Sequence, residues 1–189
     1  MSNAVSALQG AEFEGIARVE ELGLTGMITI RGDFGSKSFA KAVSAVAGCD
    51  LPAQRCHNAG SDGRVLAWMS PDELLLITAH DTAAADIAAM QEQLGDEHSM
   101  VVNVSDARAV FRISGEACRE VVGKLAPVDM DSTAFGVSDF RRTRFAQVPA
   151  AFWMRDAETI DVVCFRSVAQ YMFDLLSVAA QGGSEVGVY

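Results

Sequence analysis

The chain carries one sequence pattern twice, and this internal repeat limits its possible folds more than any other feature. In the first copy, Ile28 and Ile30 alternate with polar residues, as in a half-buried strand, and an amphipathic helical pattern follows. In the second copy, Phe111 and Ile113 alternate in the same way, and a helical pattern follows again. Two copies of one strand–helix unit predict an internal duplication.

The two copies stay aligned well beyond this first strand. When Gly32 is placed on Gly115, a Trp-Met pair follows each glycine at nearly the same distance, beginning at Trp68 and at Trp153. Each pair precedes a polar turn and another apolar stretch, which predicts a β-hairpin, and each hairpin is followed by a second amphipathic helix. The predicted fold class is α+β, with internally duplicated β-α-β-β-α units and pseudo-twofold symmetry.

Residues with known capping preferences mark the ends of the predicted helices. Ser36 is a candidate N-cap of the first helix and Gly48 its stop, and Gly95 is placed to stop the second helix. Pro127 cannot continue the third helix, and Ser167 is a possible cap of the fourth. These residues give each predicted helix a start or an end, and the predicted strands lie between the helices, as the duplication requires.

The repeat also divides the chain into segments. We predict an N-terminal arm over residues 1–25, a first α+β repeat over 26–97, a second over 98–180 and a flexible tail over 181–189, with both repeats in one compact body. If the halves exchange strands, as duplicated folds of this kind often do, a cut near residues 95–98 should give two insoluble pieces.

The charge balance limits the kinds of partner. The 189 residues include 15 Lys+Arg and 25 Asp+Glu, which gives a formal net charge of −10. Nucleic acids and anionic membranes bind clustered basic residues, so an acidic chain is a poor match for either. The sequence has no apolar run long enough for a membrane span and no signal-peptide pattern, and we expect a cytoplasmic protein.

Metal-binding and catalytic motifs are weak. The cysteines have no C-x-x-C spacing, and Cys49, Cys56 and His57 form the one cluster to consider as a metal site, so we predict neither a metal nor a disulfide. The common phosphate-binding, zincin and nucleophile-elbow motifs do not occur. Without a convincing acid–base pair, we assign no catalytic residue.

Two strand segments carry residues suited to contact with another protein. On the first, Asp106, Arg108 and Arg112 fall at alternate positions of a strand, so a solvated face and a partner surface fit equally. The second contains Pro149 shortly before Phe152 and Trp153. These aromatic residues fit either packing in the core or a contact surface for another chain.

The dense basic cluster of the chain is Arg-Arg-Thr-Arg at residues 141–144. Alternation along a strand puts Arg142 and Arg144 on one side and Arg141 on the other, so at most two guanidinium groups can hold one anion. A protein interface or an internal ion pair fits this arrangement better than an anionic ligand. The predicted partner-interface residues are Asp106, Arg108, Arg112, Arg142, Arg144, Phe152 and Trp153.

Five segments, taken in order, resemble one protein family. They are residues 66–76 (LAWMSPDELLL), 104–115 (VSDARAVFRISG), 141–144 (RRTR), 151–153 (AFW) and 164–169 (CFRSVA). From about residue 26 to residue 180 the chain resembles the gamma subunits of heterotetrameric sarcosine oxidase. The resemblance implies a fold similar to the folate-binding domain of the glycine-cleavage aminomethyltransferases, which is also duplicated.

The resemblance also implies a function and a set of partners. Such a subunit works in a cytoplasmic complex with alpha, beta and delta chains, which oxidatively demethylates sarcosine to glycine and yields hydrogen peroxide and formaldehyde or 5,10-methylene-tetrahydrofolate. FAD, FMN, NAD and tetrahydrofolate belong to the larger chains of that family. The expected role of this chain is therefore structural, with no cofactor of its own and with alpha as its most direct partner.

Two other functions stay open at this stage. A folate-dependent one-carbon carrier would use Asp72 or Asp106 as the acceptor for the pterin amine. However, residues 147–153, where the aminomethyltransferases have a glycine-rich hairpin and acidic residues, contain neither glycine nor acid. The other function is that of a free-standing acidic regulatory module, which would have no flavoprotein partner.

Overall fold

The computed structural model describes residues 4–189, so the first three residues of the predicted arm lie outside the described residues. The strands are β1 (Glu12–Glu14), β2 (Arg18–Glu21), β3 (Thr25–Arg31), β4 (His57–Ala59), β5 (Val65–Ser70), β6 (Glu73–Ala79), β7 (Met100–Asn103), β8 (Arg108–Ser114), β9 (Phe140–Phe145), β10 (Val148–Asp156) and β11 (Thr159–Phe165). The helices are α1 (Lys37–Ala47), α2 (Ala83–Leu94), α3 (Cys118–Leu125) and α4 (Ala169–Ala179). None of these helices is long and apolar enough to cross a membrane.

Residues 24–106 form one unit, with a five-stranded antiparallel sheet in the order β4-β5-β6-β3-β7. Ile28 and Ile30 of β3 are buried with Phe39 of α1 and with side chains of α2 in one apolar cluster. The side chain of Ser36 accepts a hydrogen bond from the N–H of Phe39, and Gly48 ends α1 with a left-handed φ of 72°. Both predicted ends of α1 are therefore confirmed.

Residues 4–23 and 107–189 form the other unit, with a six-stranded antiparallel sheet in the order β1-β2-β8-β11-β10-β9. Phe111 and Ile113 of β8 pack in one apolar cluster with Val121 of α3 and Met172 of α4. The hairpins β5–β6 and β10–β11 both form where the polar turns predict them. The predicted α+β fold is confirmed.

The sheets exchange strands reciprocally, and the unit boundaries therefore differ from those expected. Strand β7 lies just before β8 in the chain but pairs with β3, whereas β2 lies just before β3 but pairs with β8. Strands β3 and β8 are interior strands that need hydrogen-bond partners on both edges. Hence residues 98–106 belong with the first sheet, and the strands of the predicted arm belong with the second.

The start of α4 differs from the expectation. Ser167 lies within a short 3₁₀ turn, Arg166–Val168, and α4 begins at Ala169 without a side-chain cap at its N-terminus. In this turn, the guanidinium of Arg166 donates hydrogen bonds to the carbonyl oxygens of Val5 and Ser6 at 2.9 and 3.1 Å. The turn therefore fastens part of the N-terminal arm.

The C-terminal tail, expected to be flexible, is bound to α3. The backbone N–H groups of Val186 and Gly187 donate to the carboxylate of Glu120 at 2.6 and 2.9 Å, and Nζ of Lys124 lies 3.1 Å from the same carboxylate. These backbone bonds, followed by the bond and charge of Lys124, lower the pKa of Glu120. A Cβ at Gly123 would lie 2.6 Å from the ring of Tyr189, so the glycine makes room for the last residue.

Cutting the chain at residues 95–98 should separate β7 from β3 and β2 from β8. Each piece then has an interior strand with one open edge, and unpaired strand edges lead to aggregation. The two pieces should be insoluble when expressed singly and should form a soluble complex when coexpressed, as size-exclusion chromatography and circular dichroism would show. Two soluble, folded halves would contradict the exchange of strands.

Candidate partner interface

The predicted arginines lie on the face of the six-stranded sheet opposite α3 and α4. Arg108 and Arg112 alternate along β8 with residues such as Phe111 that pack in the helix-side cluster. Along β9, Arg142 and Arg144 alternate with residues 141, 143 and 145, and the last of these, Phe145, also packs in that cluster. Because successive side chains of a strand point to opposite faces, all four arginines share the second face.

Arg112 is part of an internal ion pair on this face. Its partner is Asp161 of β11, which lies directly opposite in the register and has a side chain only 2% exposed. Nε and Nη2 of Arg112 donate to the two carboxylate oxygens of Asp161 at 2.8 and 3.0 Å, and Nη1 of Arg155 donates at 3.2 Å. The bond to Asp161 raises the pKa of Arg112. Arg112 therefore stabilises the sheet, and its place on a partner surface stays a prediction.

Phe152 and Trp153 are both fully buried. The ring of Phe152 packs against Phe135 and Phe145, with centroid distances of 4.9 and 5.6 Å, and the ring of Trp153 stacks on Phe140 at 6.1 Å. Their strand, β10, lies between β9 and β11 and has no free edge. Neither side chain can serve as an exposed contact, and their assignment to a partner surface is corrected.

Arg141 points to the helix side of the sheet, as alternation predicts. Its guanidinium carbon lies 5.1 Å from the ring centroid of Phe135, and its Nη1 lies 3.4 Å from a carboxylate oxygen of Asp139. Arg142 and Arg144 are exposed on the opposite face. The basic cluster thus contains one internal ion pair and two exposed arginines, and it does not converge on one anion.

Four residues at one end of this face form what we call the exposed strip: Arg108, Phe165, Pro149 and Arg144. Phe165 pairs with Arg108, and Pro149 pairs with Arg144. One step beyond the pair Ala150–Cys164, the same register puts Pro149 opposite Phe165. Four adjacent strands separated by about 4.8 Å give a strip about 14 Å long.

Three of the four residues of the exposed strip are exposed to solvent. Phe165 is 55% exposed, Pro149 and Arg144 are exposed, and Arg108 is half-buried. Sequence reasoning missed Phe165, because it ends a mainly apolar strand whose preceding residues, 160–164, are all buried. Its position could have indicated its exposure. Phe165 is the last residue of β11, and its side chain points to the face opposite that of Cys164, which packs in the helix-side cluster.

The acidic residues considered for a folate site are exposed. Asp72 lies in the turn between β5 and β6, where its 63% exposed side chain accepts a 2.6 Å hydrogen bond from Ser70 and lies 3.7 Å from Arg31. The bond from Ser70 and then the charge of Arg31 lower the pKa of Asp72. Asp106 is exposed in a 3₁₀ turn before β8 rather than on the strand. Both carboxylates are exposed, so neither lies in a preformed buried site for a pterin amine.

The cysteine cluster shows no metal-site arrangement. Within residues 4–189, no group of three or more His, Cys, Asp or Glu side chains is placed to hold a metal ion. All four cysteines are free thiols, and burial, with a smaller contribution from Asp50, raises the pKa of Cys49. Burial also raises the pKa of Cys118 to about 11 and that of Cys164 to about 12. Raised values keep these thiols protonated and poorly nucleophilic near neutral pH.

The duplicated α+β fold is shared with the aminomethyltransferases. A crystal structure of the glycine cleavage system aminomethyltransferase T from Bartonella henselae superposes with a TM-score of 0.56 at 13% identity, covering 86% of this chain and 46% of that chain. At this identity the likeness shows the fold alone. The predicted similarity of fold is confirmed.

The family follows from closer matches. Residues 31–182 match the model of the sarcosine oxidase, gamma subunit family, and the chain belongs to that family. It is 34% identical over 140 residues to sarcosine oxidase subunit gamma of Corynebacterium sp. (strain P-1), covering 74% of this chain and 68% of that protein. A chain of heterotetrameric sarcosine oxidase from Corynebacterium sp. U-96, solved in complex with pyrrole 2-carboxylate, matches with a TM-score of 0.81 and 28% identity, covering 94% of this chain and 91% of that chain.

Replacing Asp161 with alanine should destabilise the fold, because it leaves the half-buried Arg112 without the carboxylate to which it donates two hydrogen bonds. Removing one member of a buried ion pair costs about 3 kcal/mol in the free energy of unfolding, whereas Arg144→Ala, at an exposed position, should change it by less than about 0.5 kcal/mol. Urea denaturation followed by circular dichroism measures both variants. Equal stabilities of the two would contradict a structural role for Asp161.

Proposed function

We propose that this chain is the gamma subunit of a heterotetrameric sarcosine oxidase and that its role in the complex is structural. The match to a chain of such a heterotetramer, with a TM-score of 0.81 over 94% of this chain, carries the proposal. The reaction of the complex would be the oxidative demethylation of sarcosine to glycine, with hydrogen peroxide and formaldehyde or 5,10-methylene-tetrahydrofolate as products.

The ion pairs and hydrogen bonds of the buried carboxylates support a structural role without catalysis by this chain. A general acid or base must exchange protons with a substrate near neutral pH, and a carboxylate held by a cation is poorly suited to that task. Among the described residues 4–189, four buried carboxylates have a cationic partner, and a fifth accepts hydrogen bonds from a hydroxyl and a backbone N–H. The pairs are Asp161 with Arg112, Asp86 with Arg64, Glu73 with Arg31 and Glu120 with Lys124, and the fifth carboxylate is Glu21.

The larger subunits would then supply the cofactors and the chemistry. In this proposal FAD, FMN, NAD and tetrahydrofolate bind to those chains, and this chain attaches most directly to alpha. Arg142 and Arg144, exposed on the outermost strand β9, offer positive charge for that attachment. Arginine is enriched at protein interfaces, where its planar group pairs with carboxylates.

Coexpression with the other subunits tests the proposal. Tagged alpha, produced together with beta, delta and this chain, should retain this chain through affinity and size-exclusion chromatography in a constant ratio. With the tag moved to beta and alpha left out, this chain should not be retained. If the chain elutes alone even when all the subunits are present, the proposal is wrong.

A folate titration tests the competing one-carbon carrier. Tetrahydrofolate should leave the Tm of the purified chain unchanged, because neither Asp72 nor Asp106 is buried. A carrier would gain about 2.7 kcal/mol of stability at a hundredfold excess of folate over its Kd. A saturable rise of Tm in differential scanning fluorimetry would favour the carrier.

A further inference from the structure

We infer that the exposed strip, Arg108-Phe165-Pro149-Arg144, is the surface that docks on another subunit of the oxidase. Phe165 is its apolar anchor, and Arg144 pairs with a carboxylate of that subunit. The inference rests on the proposed function, since the occupant belongs to the same complex. It differs from the sequence-based assignment, because Phe165 takes the place of the buried aromatics.

Phe165 combines exposure with a fixed backbone. Val163, which shares its face of β11, is 3% exposed, whereas Phe165 is 55% exposed. The ladder to β8 still includes Phe165, through its pairing with Arg108, so its position is fixed before a partner arrives. A preorganised aromatic side chain that enters a pocket on binding is the kind of residue that dominates interface energies.

The neighbours of Phe165 extend this apolar surface. Pro149 is exposed and, in the continued register, lies directly opposite Phe165. The hydrocarbon stem of Arg108 lies on its other side in the same row. Arginine stems cover apolar surface, and the guanidinium of Arg108 is itself partly buried, since its Nη1 is inaccessible to solvent. Together these residues form an apolar centre with charged ends, which is the usual anatomy of a protein interface.

The charge of the strip defines the chemistry of its occupant. Within residues 4–189, Arg144 has no ion-pair partner, whereas Arg18 contacts the carboxylates of Glu12, Glu14 and Glu20. A chain with a net charge of −10 that leaves an arginine without a carboxylate presents a local positive site on an acidic surface. Such a site attracts an acidic patch and disfavours partners with basic ones. The fitting surface is therefore an apolar pocket flanked by aspartate or glutamate.

Assembly of the whole complex with variants of this chain tests the inference. Phe165→Ser should weaken binding to the tagged complex by about tenfold or more, as expected for an anchor residue. Arg144→Glu should slow association, most strongly at low salt, because it reverses the charge that steers the encounter. Surface plasmon resonance with the other subunits immobilised measures both rates.

Matched controls separate the strip from general surface effects. Tyr171→Ser removes an aromatic side chain that is 50% exposed on α4, and Lys41→Glu reverses an exposed charge on α1. Both should bind within about twofold of the wild type, since single surface changes outside an interface have small effects. Equal Tm values of all four variants show that each is folded.

Photo-crosslinking identifies the occupant directly. A photoreactive amino acid at position 165 should crosslink to one other subunit of the assembled oxidase. A crosslink to a second copy of this chain, or to nothing, would overturn the inference. If the wild type assembles and Phe165→Ser and Arg144→Glu behave like the controls, the strip is not the docking surface although the proposed function stands. If the wild type itself fails to assemble, the proposed function is the part that is wrong.

Discussion

The fold depends on hydrogen bonding along both edges of two interior strands, β3 and β8. Strand β3 pairs with β6 of its own repeat and with β7, which lies just before β8 in the chain. Strand β8 pairs with β11 of its own repeat and with β2, which lies just before β3. An interior strand with an unpaired edge leaves a row of N–H and C=O groups without partners, which is costly away from water. The two added ladders, β3 with β7 and β8 with β2, satisfy these groups and hold the N-terminal arm in a sheet.

The same principle governs the charged residues of the second sheet. In the middle of the sheet, Asp161 is nearly inaccessible and its oxygens accept bonds from Arg112 and Arg155, so these groups stabilise the sheet. Arg144 and Phe165 lie near the ends of β9 and β11, where their side chains are exposed although the backbone is still part of a regular strand. Position along the strand, more than residue type, thus separates charges that stabilise the fold from charges available for binding.

Local sequence predicted those features that local interactions determine. The cap at Ser36, the stop at Gly48 and both hairpins depend on contacts between residues close in the chain, and each formed as expected. The pairing of β7 with β3 joins residues far apart in sequence, and nothing within residues 100–103 indicates which interior strand they will join. The differences in the boundaries of the predicted repeats follow from this pairing and from the equally non-local pairing of β2 with β8.

The candidate interface was only partly predictable for a related reason. Alternation correctly put Arg142 and Arg144 on one face and Arg141 on the other, because the side-chain period of a strand is fixed. The aromatic residues were the difficult case, since Phe and Trp occur both in cores and at interfaces. Phe152 lies in the helix-side cluster, whereas Phe165, at the last position of β11, stays open to solvent. Only the tertiary structure distinguishes the buried Phe152 from the exposed Phe165.

The reciprocal arrangement of strands also has a consequence for synthesis on the ribosome. The strands β1 and β2 leave the exit tunnel first, yet the backbone groups on the far edge of β2 find their partner only when β8 has emerged. During that interval the nascent arm has no sheet to join, and long-range ladders of this kind form slowly. A pause in translation before residue 108 would therefore prolong the exposure of an unpaired segment to chaperones and proteases.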